Sequence, residues 1–377
     1  MFRIAIAPDK FRGSLTAVQT AEALSVGVRR QIPNADVLLV PIADGGDGTV
    51  DAMASFNFQR TPVAVSGPTG ETVNAFFASR SHTAVVELAN SCGIALLPSG
   101  VLQPLTASSR GLGEAVRAAL DSGALEIIIG IGGSASTDGG AGLISALGGR
   151  LLDEHGTILP DGGGALERLH SLDLSELHAA ATARRIVVAC DVKNPLSGPQ
   201  GAARVYGPQK GASPRDVQRL AKGLEVWADV VTREIGSDLR QSPGTGAAGG
   251  VGFAALALLG AELRSGIELI LSLLDFNRRI AGSDLVITGE GSLDRQTLSG
   301  KAPLGVARAC ARLGVPVVAV CGQRRLSDQE LRQAGFVTTY ALTDLEADIN
   351  RCIIEASTLL ETLGEMIALR FVPDSSP

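Results

Sequence analysis

The sequence lacks most of the features that most readily betray a function. It has four histidines, none in an HxxH or HExxH pattern, which argues against a histidine-built zinc site. Its five cysteines, Cys92, Cys190, Cys310, Cys321 and Cys352, stand far apart without CxxC spacing. That reads as reduced thiols of a cytoplasmic protein. Lysine and arginine number 33 against 39 acids, a formal net charge of -6. The basic footprint of a nucleic-acid binder is therefore missing. No basic stretch leading into a short apolar one opens the chain, so no secretory leader is expected. The longest apolar runs, such as AALALLG, fall well short of a membrane span. No repeat of fixed period is present.

What is there points to a buried, two-domain enzyme. A length of 377 residues exceeds one typical core. Hydrophobic residues make up 45% and charged residues 19%, a balance suited to a well-packed protein. The 46 glycines show no collagen period and cluster in short loops between apolar runs.

The pattern of elements is α/β. FRIAIAP reads as a buried strand, then SLTAVQTAEALSVGVRRQIP as an amphipathic helix with Ser14 as N-cap and Pro33 just past its end. VLLVPIA follows as a strand, completing a β-α-β unit and implying a parallel sheet. Residues 63–87 look like short antiparallel hairpins. Alternation then returns, with LEIIIGIGG as a buried strand, RRIVVACDV as a strand ending at Asp191, and a long helix over 214–240. SDLVITGEG, VPVVAVCG and FVTTYAL are strands near the end, closed by a helix near 346–370 and a polar tail, PDSSP. Both ends of the chain thus look like parts of one doubly wound sheet. The economical architecture is a discontinuous domain, 1–62 plus 283–377, with a second mixed α/β domain, 63–282, inserted.

Five strands end in polar or glycine-rich loops: PDKFRGS (8–14), ADGGDGT (43–49), GGSASTDGGAG (132–142), CDVKNPLSG (190–198) and TGEGSLDRQTLSGK (288–301). In open α/β sheets, ligands bind beyond the carboxyl ends of the strands. Glycine lets a ligand approach the backbone, and exposed N–H groups hold anions. Five such loops together indicate a polar, charged substrate and a phosphoryl-transfer type of site. Each loop also has a plainer reading. Asp44 and Asp47, taken alone, suit stabilising a turn or capping the next helix. Asp191 suits a general base or magnesium ligand, or a cap of the Asn194-Pro195 turn. Lys301 suits phosphate binding or a solvated surface. GIGGSA (130–135), with Asp153 and Glu154 about twenty residues on, fits a dinucleotide fingerprint and keeps an NAD-dependent hydroxy-acid dehydrogenase as the rival. A non-catalytic binding module is the third class.

Taken together, APDKFRGSLTA, PIADGGDGTVDA, IGIGGSASTDGGAGL, VACDVKNPLSGPQGAA, YGPQKGA, GTGAAGG and DLVITGEGSLDRQTLSGKAP resemble the bacterial glycerate kinase family. The likeness is with the class whose flavodoxin-like domain is interrupted by a second α/β domain, and it runs essentially end to end. It implies transfer of the γ-phosphoryl of ATP to D-glycerate with Mg2+. The implied product is 2-phosphoglycerate or 3-phosphoglycerate, in glycerate- and glyoxylate-linked organic acid catabolism. It also implies roles. Asp191, Asp44 and Lys301 are the catalytic candidates. Asp9, Arg12, Ser14, Asp47, Gly132, Gly133, Ser134, Thr137, Asp138, Asn194, Lys210, Gly289, Glu290 and Asp294 are candidates for holding glycerate or nucleotide. Asp191 and Glu290 are the candidate metal ligands. A cytoplasmic enzyme without nucleic-acid or membrane partners is implied, with a homodimer allowed. The segment TASSRGLGE (106–114) is less standard and leaves the role of Arg110 open.

Overall fold

The computed structural model describes residues 2–98, 101–298 and 300–371. The tail PDSSP and Ser299 of the SGK stretch lie outside the described residues. The strands in chain order are β1 (Arg3–Pro8), β2 (Asp36–Leu39), β3 (Gln59–Ser66), β4 (Thr72–Arg80), β5 (Thr83–Glu87), β6 (Glu126–Gly130), β7 (Arg150–Leu152), β8 (Ser171–Asp173), β9 (Arg185–Ala189), β10 (Glu262–Arg264), β11 (Leu285–Leu293), β12 (Val317–Arg324) and β13 (Thr338–Ala341). The chain divides into two compact units, 1–44 with 265–377, and 45–264.

The first unit carries a five-stranded parallel sheet in the order β13-β12-β11-β1-β2. Counting this unit's strands alone, that is the 2-1-3-4-5 order of flavodoxin-like folds. β1 is an interior strand, apolar on both faces, as a strand covered by helices on either side must be. Ile4, Ile6, Leu24, Val28, Leu285, Ile287 and Leu360 form the core. The first helix, Ala17–Gln31, starts at Thr16 rather than at Ser14. Thr16 accepts from the Gln19 N–H at 3.2 Å, and the Gln19 side chain takes the Thr16 N–H at 3.0 Å. That closed capping box satisfies two N-terminal donors. Ser14 instead donates to the Ile353 carbonyl at 2.8 Å. The last helical region is two helices, Ile349–Ile354 and Ala356–Phe371, in place of the one expected.

The second unit carries a six-stranded mixed sheet, β10-β9-β6-β5-β4-β3. β10, β9, β6 and β5 run parallel, and β4 and β3 add the antiparallel pairs expected from 63–87. The run Ile127-Ile128-Ile129 is buried throughout, which suits a central parallel strand. Phe77, Leu112, Ile129, Leu143, Trp227 and Phe253 belong to one core. β7 and β8 form a separate hairpin.

The division between units comes earlier at both junctions than 62 and 282. The short helix Thr49–Ala54 packs on β4 and β5, which draws residues after 44 into the second unit. The helices Gly266–Leu273 and Phe276–Ile280 pack on the helix Ala302–Leu313, which draws residues after 264 into the first. Two strands also stop short. β2 ends at Leu39, although Val40 and Ile42 still donate to Ile6 and Pro8. β9 ends at Ala189, so Asp191 stands in the loop beyond it.

Candidate active site

In the first unit, β1 lies between β2 and β11, so the residues that leave their carboxyl ends share one edge. Asp9 follows β1, Asp44 follows β2, and Glu290 lies in β11 one residue past the Pro8–Gly289 pairing. Asp9 is buried, and its Oδ1 accepts the Lys10 N–H at 2.7 Å. Burial first, and then the charge of Asp44, hold its carboxyl well above the usual range. Glu290 is 7% exposed and is pushed up to about 7, mainly by burial, with Asp44 and Asp294 adding to it. Thr297 opposes that shift by donating to Glu290 Oε1 at 2.5 Å, and the Lys301 charge opposes it as well. A buried carboxyl that titrates near neutrality is suited to take a proton from an alcohol.

The neighbouring motif residues sort themselves by position. Lys301 stands at the N-cap of the helix Ala302–Leu313 without a side-chain cap bond. Asp294 opens the short helix Arg295–Leu298, its Oδ1 accepting the Gln296 N–H at 2.8 Å. A Cβ on Gly289 would stand 2.3 Å from the Val320 carbonyl oxygen, so this glycine serves the close pairing of β11 with β12. Arg12 is exposed on the loop after β1.

In the second unit the corresponding edge belongs to β5, β6 and β9. The loop after Asp44 lies directly on it. A Cβ on Gly130 would stand 2.5 Å from the Gly45 carbonyl oxygen, and one on Gly132 would stand 2.6 Å from Gly46 Cα. Only glycine allows the loop this approach. Asp47 is exposed at its tip. The N-cap of the helix Thr49–Ala54 is Gly48, which has no side chain to bond with. Glu87, at the end of β5, holds that helix start instead, and no sequence motif named it. Its two carboxylate oxygens accept the N–H groups of Gly48 and Val50, each at 3.0 Å.

The loop after β6 is built around two buried charges. Asp138 is wholly buried and accepts from the Ser109 N–H and hydroxyl, both at 2.8 Å, and from the N–H groups of Gly140 and Gly142, both at 3.2 Å. Its oxygens are engaged in shaping the loop. Lys210 is 4% exposed and donates to Ser134 Oγ at 3.4 Å and to the Ser136 carbonyl. Burial pulls its ammonium down to about 8, against the opposing charge of Asp138. Lys210 therefore braces the loop from beneath through the buried Ser134, while Gly132 and Gly133 are more exposed. Thr137 is wholly buried, and its hydroxyl has no hydrogen-bond partner among the described residues.

Beyond β9, Asp191 is half-buried. Asn194 is tied into the same loop, donating to the Gln200 carbonyl at 2.9 Å and accepting from the Tyr206 hydroxyl at 2.8 Å. The Cys190 thiol is pushed up to about 11 by burial and stays protonated, as a core thiol should. Arg110 finds its role in a two-pronged ion pair with Asp161, at 2.5 and 2.9 Å.

The dinucleotide reading of GIGGSA does not fit this geometry. The helix after β6 begins only at Ala141, ten residues beyond Ile131. Asp153 and Glu154 follow β7 in the separate hairpin, not the next strand of the parallel sheet. No helix N-terminus follows the glycines to receive a pyrophosphate.

Residues 4–372 match the model of the glycerate kinase family. The chain is 42% identical over 369 residues to a glycerate kinase of Bacillus subtilis (strain 168), covering 97% of each. It is 45% identical over 323 residues to glycerate 2-kinase of Escherichia coli (strain K12), covering 85% of each. A crystal structure from Salmonella typhimurium LT2, provisionally named glycerate kinase 2, superposes with a TM-score of 0.85 at 41% identity over 98% of both chains. The chain belongs to the glycerate kinase family.

Proposed function

We propose that the protein transfers the γ-phosphoryl group of ATP to D-glycerate and releases 2-phosphoglycerate. The observation that carries this reading is the match of the whole chain to glycerate kinases, one of them a glycerate 2-kinase, joined to polar strand ends in both units. Glycerate offers a carboxylate and two hydroxyls. It needs a cation, N–H donors and a proton acceptor. Glu290, titrating near 7, is the best-suited proton acceptor of the first unit, with Asp9 and Asp44 beside it. Lys301 and the exposed Arg12 supply cations, and the loop 132–134 supplies backbone for phosphate oxygens. Asp191 and Asp47 are the carboxylates of the second unit.

Mg2+ fits the first-unit edge on chemical grounds. Asp9 and Glu290 are both held up by burial and by the charge of Asp44, and a divalent cation relieves that strain. Among the described residues no group of three or more His, Cys, Asp or Glu is arranged to hold a metal alone. A magnesium ion needs only one or two carboxylates when it arrives with a nucleotide. When bound, it would neutralise charge on the phosphates. Glu290 and Asp191, the candidate ligands, belong to different units.

No helix among the described residues is long and apolar enough to cross a membrane. A cytoplasmic location, a homodimer and a place in organic acid catabolism belong to the same proposal, with light scattering as the check on the dimer. Purified protein with ATP, magnesium and D-glycerate, followed by ADP release and phosphorus NMR, tests the central claim. A 2-phosphoglycerate signal is expected. A 3-phosphoglycerate signal overturns the choice of hydroxyl, and silence with glycerate overturns the substrate.

A further inference from the structure

The segment 45–50 carries one exposed carboxylate, Asp47, and is half glycine. Glycine-rich segments lose the most entropy on ordering, so something must hold this one. Two contacts do so. From below, Gly130 at the end of β6 and Gly132 just beyond it carry no side chains, and the loop lies on that bare backbone, with the Gly132 N–H donating to the Gly45 carbonyl at 3.3 Å. From the side, Glu87 takes the N–H groups of Gly48 and Val50. Glu87 is 2% exposed and closes a strand, TAVVE, that is otherwise apolar or small. A carboxylate at such a place costs stability unless it is fully hydrogen-bonded. Its position is set by the parallel pairing with Gly130 of β6, so the group is fixed by the sheet and not by the loop it holds.

We propose that Glu87 is a positioning residue: its carboxylate fixes the backbone of residues 45–50 and thereby sets where Asp47 stands during phosphoryl transfer. The two bonds flank Thr49, whose hydroxyl closes the turn on the Gly46 carbonyl at 2.6 Å. With Gly48 and Val50 anchored, the turn that carries Asp47 is held immediately after that residue. A neutral amide at the same place has a single acceptor oxygen and turns two N–H donors toward a backbone donor. Glu87→Gln therefore releases one anchor without changing side-chain volume. This inference rests on the kinase reading given above.

The test is a double-mutant cycle on turnover with Glu87→Gln, Asp47→Asn and the pair, joined to amide hydrogen exchange of the 45–50 segment. Glu87→Gln should lower kcat by about 10- to 100-fold, the range that a misplaced group produces. The KM for ATP should stay within about threefold, the thermal midpoint should move little, and exchange at Gly48 and Val50 should quicken. The double variant should turn over no more slowly than the slower single one, because both changes act on the same group. Glu87→Asp, which keeps the charge but shortens the reach, should recover part of the loss. Wild-type kcat in Glu87→Gln overturns the proposal. So do losses that multiply in the double variant, or unchanged exchange in the loop. An Asp47→Asn enzyme with full turnover overturns the link to Asp47. The kinase reading is judged apart from this, on the wild-type enzyme in the same assay.

Discussion

The two strand edges solve opposite electrostatic problems. The first unit crowds like charges. Asp9, Asp44 and Glu290 sit close enough that Asp44 raises the other two, and Glu290 reaches about 7. The second unit does the reverse. It buries a single ammonium, Lys210, on a hydroxyl and a carbonyl, and keeps the nearest acid, Asp138, engaged with four donors of its own loops. One edge is therefore poised to accept a proton or a cation. The other is poised to hold backbone in place. The lesson is that a carboxylate in a glycine-rich loop carries no single meaning. Glu290 is pushed up to about 7 by burial, whereas the oxygens of Asp138 are taken up by donors of its own loops.

The sharpest way to break this contrast is to remove the acid of each edge in turn. Glu290→Gln should cut kcat by about 10²- to 10⁴-fold with the fold intact, the span expected for a lost proton acceptor. Asp191→Asn should also lose orders of magnitude, and near-normal turnover would take Asp191 out of the chemistry. If only Asp191→Asn is damaging, the contrast between the edges is reversed. A smaller effect is expected at Lys301→Ala, where loss of one charged donor should raise the KM for ATP about tenfold. An unchanged KM would return Lys301 to the role of a surface lysine.

Lys210 sharpens the comparison through stability. Its pKa falls from 10.5 to about 8 on folding, so the unfolded chain binds more protons between those values. Stability should then rise as the pH climbs from about 8 to about 10.5. Urea denaturation at pH 7.5 and 10 should show that rise, and Lys210→Met should abolish its share. The smallest effect belongs to Arg110→Ala. Its pair with Asp161 is about one third exposed on each side, so a loss of at most about 1 kcal/mol is expected, with kinetics unchanged.

Much of this was legible before the structure. The apolar runs and the glycine loops between them carried the fold class, because strand period and turn chemistry are local properties. The antiparallel hairpins at 63–87 were readable for the same reason. The helix start at Thr16 was not, since Ser14 and Thr16 are both good caps and only the Gln19 partner decides between them. The junctions were displaced because a short helix such as Thr49–Ala54 carries too few residues to show where it packs. The acids of the candidate site were visible as residues but not as roles. Asp138 and Glu290 both follow glycine-rich signals, and their difference lies in partners contributed by Ser109 and Thr297, distant in the pattern. Glu87 gave a fainter signal, a charge at the end of an apolar strand.

The discontinuous first sheet also bears on how the chain is made. β1 is flanked by β2 and β11, and the Thr288 hydroxyl reaches the Ala7 carbonyl across 281 residues of sequence. The inserted unit is one unbroken stretch, whereas the first sheet waits for its last three strands. During synthesis from the N-terminus, residues 45–264 are complete while β1 still lacks its partner β11. One edge of β1 stays unpaired until β11 leaves the ribosome, so the first segment made belongs to the sheet that is finished last.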